Sequence, residues 1–195
     1  MKKAFLLLGI VIAAFFLSCN GHSTKGEKSS VDTIWNENVQ DIFFGVSFGE
    51  SKETLIETFK KEGFVANSAI STEEYVHFFP TKSRYYSFGG CNWEMLDITF
   101  SNDKFVGITF MNSSKDKVAA IPQYEHLKKL LTNKYKETIV GKEDTTVYGH
   151  TVIFGKNTNA EATCFRYESI SKHILIGVSL TYFSKKYYEG AEDEL

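Results

Sequence analysis

The chain has 195 residues, with 22 Lys+Arg against 24 Asp+Glu and a formal net charge of −2, so it lacks the clustered positive surface that nucleic-acid binding requires. Aromatic residues make up 15% and there are only 2 prolines, a mix that favours a β-rich core over disorder. Its 3 cysteines form no C-x-x-C pair and no Cys/His spacing suited to a metal, and no cofactor is implied.

The first element runs from Lys2 to Cys19. Two lysines, an unbroken apolar run from Ala4 to Leu17 and the small residue Ser18 have the layout of an export leader. A permanent membrane span needs about 20 apolar residues, more than this run supplies. A cysteine directly after the small residue resembles the lipobox of bacterial lipoproteins. The resemblance implies that residues 1–18 are a signal peptide, that Cys19 is acylated and becomes the first residue, and that palmitate or similar chains anchor the product in the cell envelope. One acyl chain holds only reversibly, whereas two or more on one residue make attachment persistent. No acidic cluster follows in Asn20, Gly21 and His22, which favours an outer-membrane position facing the periplasm. Loss of the leader removes Lys2 and Lys3 and leaves 20 basic against 24 acidic residues. Residues 19–33 are polar and read as a flexible tether with a reach of roughly 20 Å.

A single α+β domain is expected over residues 34–188, followed by an acidic tail at 189–195. The apolar stretch from Ile42 to Phe48 reads as a strand leading into a helix over 51–62, capped by Ser51, carrying Leu55, Ile56 and Phe59 on one stripe and stopped by Gly63. Tyr75 to Phe79 is a short strand closed by Pro80, and a second near Tyr85 to Phe88 is broken by Gly89-Gly90. In Glu94 to Phe100 and Phe105 to Met111, Leu96, Ile98 and Phe100 face Val106, Ile108 and Phe110 across the polar turn Ser101-Asn102-Asp103-Lys104, a hairpin with one buried face. The next helix is expected over 122–135 with Pro122 in its first turn. Tyr124, Leu127, Leu131 and Tyr135 form its core stripe, and Glu125 pairs with Lys129. Three strands close the chain, near 146–154, 162–168 and 173–183, the last apolar on both faces as in a central strand.

This order gives a helix followed by strands twice, over 42–111 and 120–183. Ile98-Thr99-Phe100 and Gly107-Ile108-Thr109-Phe110 can be laid against Phe165-Arg166-Tyr167 and Gly177-Val178-Ser179-Leu180. The expected architecture is one antiparallel sheet with two helices on one face. Together with Phe48-Gly49-Glu50-Ser51-Lys52-Glu53-Thr54-Leu55 at the start of the first helix, it loosely resembles the SmpA-type outer-membrane assembly lipoproteins and the β-lactamase-inhibitor proteins, and that likeness implies a helix-plus-sheet module.

Candidate chemistry is sparse. Gly45-Val46-Ser47-Phe48-Gly49 matches the G-x-S-x-G nucleophile elbow, but an elbow needs a parallel β/α scaffold that this order of elements does not supply. A hydrolase using Ser47 is therefore the remote reading. His77, His126, His150 and His173 have no carboxylate or cysteine at ligand spacing and read as surface residues, and Asp97 reads as a solvated side chain. An exported compartment permits a disulfide between Cys91 and Cys164, two buried free thiols being the other reading. Trp35, Trp93, Tyr85, Tyr86, Tyr187 and Tyr188 are candidates for an aromatic platform that would bind glycans or a protein partner. The expected function is non-catalytic: a lipid-anchored module that binds an envelope protein, with ligand or glycan binding as the alternative.

Overall fold

A computed structural model of the chain describes residues 36, 38–135, 139–140, 146–169 and 171–188. The leader, Cys19, the tether, Trp35 and the acidic tail lie outside the described residues. In chain order the elements are β1 (Ile42–Phe43), β2 (Val46–Ser47), α1 (Lys52–Glu62), β3 (Phe64–Ala66), β4 (Tyr75–Pro80), β5 (Tyr86–Phe88), β6 (Cys91–Trp93), β7 (Met95–Ser101), β8 (Lys104–Ser114), α2 (Lys117–Lys134), β9 (Ile139–Val140), β10 (Val147–Ile153), β11 (Thr158–Glu168), β12 (Ile174–Ser184) and α3 (Lys185–Tyr188). The class is α+β, as expected. Eight strands form one antiparallel sheet in the order β3-β4-β7-β8-β12-β11-β10-β9.

One row of paired residues shows how the core is laid out. Ala66, Phe78, Leu96, Phe110, Leu180, Ala162 and Thr151 are successive cross-strand partners. Because side chains alternate along a strand, the whole row points to one face. Phe59 of α1 lies 5.1 Å from the Phe78 ring at one end, and the Tyr124 hydroxyl of α2 lies 2.8 Å from Thr151 Oγ1 at the other. Both helices thus contact the same face. The two small hairpins pack there as well: Phe43 lies 5.1 Å from Tyr182 and 6.4 Å from Phe110, and Phe88 stacks on Phe110 at 4.0 Å. Trp93 is fully buried among them and donates its indole N–H to Phe88 O. Gly149 leaves room for the Tyr124 ring, since a Cβ there would fall 2.2 Å from Cε1.

The helix ends follow local chemistry. Ser51 caps α1 by accepting the Thr54 N–H, and Gly63 ends it in the left-handed conformation, φ 89°. The second helix begins earlier than its proline suggests. Asp116 is the cap, its carboxylate accepting the Val118 N–H at 2.8 Å, so Pro122 sits inside α2 rather than in its first turn. The hydrogen bond that Pro122 cannot make would have gone to the carbonyl of Val118, a residue 78% exposed that water can reach. On the solvated side Glu125 pairs with Lys128 at 3.5 Å rather than with Lys129. The stretch 42–48 is likewise not one strand. Phe44 and Gly45, at φ 55° and 79°, form a two-residue turn between β1 and β2. A phenylalanine in that conformation is held by its ring, 4.6 Å from Phe59 and 5.2 Å from Tyr86.

The two halves share one topology. A helix is followed by the meander β3-β4-β7-β8 in the first and by β9-β10-β11-β12 in the second, and the last strands of each, β8 and β12, pair at the centre. Each last strand carries a glycine facing a side chain of its neighbour, Gly107 opposite Thr99 and Gly177 opposite Phe165. Pairing therefore sets Thr99, not Ile98, beside Phe165, one residue away from the match that composition suggests. Continued outward, the same correspondence sets Asp97 on Thr163 and His77 on His150.

Candidate functional site

Alternation that buries Leu96, Ile98 and Phe100 turns Met95, Asp97 and Thr99 the other way. The same holds for His77 on β4, Thr109, Met111 and Ser113 on β8, Thr181 on β12, Glu161, Thr163, Phe165 and Tyr167 on β11, and His150 and Val152 on β10. All of these are half-buried. Among the described residues α1, α2 and both small hairpins pack on the opposite face, which leaves this one open.

A polar row crosses the middle of the open face. His77, Asp97, Thr109, Thr181 and Glu161 are successive cross-strand partners. His77 Nδ1 lies 2.5 Å from Asp97 Oδ1, the Thr109 and Thr181 hydroxyls are 3.0 Å apart, and His150 Nε2 lies 2.8 Å from Glu161 Oε1, which also accepts from Thr163 Oγ1. Burial pulls the His77 pKa down, but its hydrogen bond to Asp97 and the Asp97 charge outweigh that and hold it above the ordinary 6.5. Next to this row the Phe165 ring lies over Gly177, where a Cβ would fall 2.7 Å from it, and Tyr167 reaches across β12 to place its hydroxyl 2.6 Å from Ser113 Oγ. Burial, opposed by that hydrogen bond and reinforced by Glu94 and Asp97, raises the Tyr167 phenol.

No family model, curated protein or solved structure matches this chain.

The residues singled out by sequence are not brought together. Ser47 lies half-buried in β2 of a tight hairpin, in a fold whose main sheet is antiparallel, so the parallel scaffold of an elbow is missing among the described residues. Cys91 and Cys164 are free, buried thiols rather than a disulfide. Cys164 sits on the core face beneath α2, and burial, slightly offset by Lys117, pushes its pKa up to about 11; burial also raises Cys91. The aromatic platform is dispersed as well. Trp93 is fully buried, Tyr86 packs against the core, and only Tyr85, at 44%, is well exposed. Trp35 and the Tyr188 side chain lie outside the described residues. Among the described residues no group of three His, Cys, Asp or Glu side chains could hold a metal ion, and no helix is long and apolar enough to cross a membrane.

A cleft of about 250 Å³ lies between the start of α2 and the ends of β8 and β12. Several of its polar groups are already engaged. Arg84 pairs with Glu94 at 3.0 Å, and the Asn112 side chain accepts from Glu94 N and donates to Asn92 O. The histidine–carboxylate pairs are the feature that reading the chain in order misses. Both partners come from neighbouring strands, so sequence spacing cannot reveal them. The signal was Asp97, an acid at an outward position of a strand whose neighbour also carries an outward histidine.

Proposed function

We propose that this chain is an envelope lipoprotein, anchored through lipid on Cys19 and facing the periplasm from the outer membrane, that acts as a non-catalytic module binding an envelope protein. The observation that carries the binding half of the reading is the open face of the sheet. A half-buried surface of Met95, Met111, Phe165, Tyr167 and Val152 around a polar row has the mixed apolar and polar character of protein contact surfaces. The anchoring half rests on the leader and its cysteine. A tether reaching roughly 20 Å would let the open face meet a partner that is fixed in the same membrane.

One set of envelope preparations tests both halves. Cross-linking of the full chain should capture a stoichiometric partner, which Thr181→Arg at the centre of the open face should abolish and Val118→Arg on the exposed flank of α2 should spare. Cys19→Ala should move the folded protein from the membrane to the soluble fraction. A partner retained by Thr181→Arg, or the absence of any stoichiometric partner, removes the binding reading; membrane retention of Cys19→Ala removes the anchor.

A further inference from the structure

The open face has a charge pattern that specifies what it can hold. Asp97 and Glu161 stand in a single cross-strand row, with the Thr109–Thr181 hydroxyl pair between them. They are three strand intervals apart, which at about 4.8 Å each is about 14 Å. Asp97 gives Oδ1 to His77 Nδ1, while Glu161 Oε1 accepts from Thr163 Oγ1 and lies 2.8 Å from His150 Nε2. The other oxygens, Asp97 Oδ2 and Glu161 Oε2, make no hydrogen bond among the described residues. Side-chain exposures of 22% for Asp97 and 20% for Glu161 leave them reachable yet partly shielded from water, where a charge contact is stronger than on an open surface. No arginine occupies an outward strand position on this face among the described residues. The one lysine there, Lys104, lies at the β7–β8 turn, away from the row.

From this arrangement we infer that the partner engages the open face through two basic side chains about 14 Å apart, one on Asp97 and one on Glu161, and that protonation of His77 weakens the contact at Asp97. The inference rests on the binding function proposed above and gives that partner its chemistry. With the His77 imidazole neutral its pair with Asp97 carries a net negative charge; with His77 protonated that pair is internally neutral and has no net charge to offer a cation. The groups facing His77 among the described residues are Asp97 from β7, the one charged group that acts on it, and the Ser71 hydroxyl that accepts its backbone N–H. An extended segment advances about 3.4 Å per residue, so lysines four positions apart point the same way and match the spacing.

The probe is a seven-residue peptide of threonine and valine with lysines at its second and sixth positions. Added to the full chain at pH 8, it should shift the backbone NMR signals of Asp97, Thr109, Thr181 and Glu161. Its affinity should fall about tenfold in Asp97→Asn/Glu161→Gln, which keeps the side-chain shapes, and about threefold between pH 8 and pH 5 as His77 is protonated. A peptide with lysines two positions apart should bind more weakly. Absence of shifts at millimolar peptide, shifts confined to the helical side, or equal affinity for the double variant overturns the inference. Envelope capture of a partner that is lost with Thr181→Arg but unaffected by Asp97→Asn/Glu161→Gln also overturns it, while leaving the binding function standing.

Discussion

The hydroxyl pair that fastens α2 to the sheet offers a sharp test of the packing. Tyr124 is 1% exposed and Thr151 is fully buried, with 2.8 Å between Tyr124 Oη and Thr151 Oγ1. Tyr124→Phe removes one hydroxyl and leaves the buried Thr151 hydroxyl without that partner. The expected loss is about 1–3 kcal/mol, the desolvation penalty of an unsatisfied buried polar group. Thr151→Val removes the Thr151 contact from the Tyr124 hydroxyl. When both are changed the shapes are kept and no hydroxyl is stranded, so the double variant should lie within about 1 kcal/mol of the parent. The two effects are then strongly non-additive, with a coupling on the order of either single loss. Urea unfolding followed by circular dichroism measures this as a shift in midpoint at constant slope. Additive losses in the double variant would refute the reasoning, because each hydroxyl would then be acting through something other than the other.

Two further predictions concern ionisable side chains. A histidine whose folded pKa is raised contributes stability that is fully present below its unfolded value and is lost as pH rises through the folded one. His77→Gln should therefore be destabilising relative to the parent below pH 6.5, with the gap narrowing above it as the parent loses the contribution; a gap independent of pH would count against the Asp97 pairing. Cys91 and Cys164 should resist alkylation at pH 8 in the native chain and react only after unfolding, Cys164 because it is fully buried and raised to about 11. Non-reducing mass spectrometry that found the two joined would contradict the structure.

Where local chemistry decides a structure, it could be read directly. Ser51 and Gly63 bounded α1, and alternation in Leu96-Asp97-Ile98-Thr99-Phe100 placed both the buried face and the outward Asp97. The hairpin turn at Asn102-Asp103 was equally legible, since both residues tolerate the positive φ of 47° and 59° that they adopt. Phe44 in the turn between β1 and β2 was not, because its conformation is maintained by ring contacts with residues distant in sequence. The start of α2 was hidden by a proline that local rules place at a first turn, although Asp116 supplied a better cap. The histidine–carboxylate pairs depended on register between strands, which alternation alone does not set.

The mirrored strand order also bears on how such a chain comes to be folded. Within each half, successive strands are near neighbours in sequence and can pair soon after they are made, but the outer edge of β8 has to wait for β12, with Phe110 opposite Leu180. That closure spans all of α2 and three intervening strands. Until it happens, the first half presents an 11-residue strand with its outer backbone groups unpaired. Such an edge is a template for wrong pairing with another chain. A polypeptide delivered in order from its first residue would pass through this state every time. Aggregation in a C-terminally truncated chain, and protection of its β8 edge by a holding chaperone, follow from strand order alone.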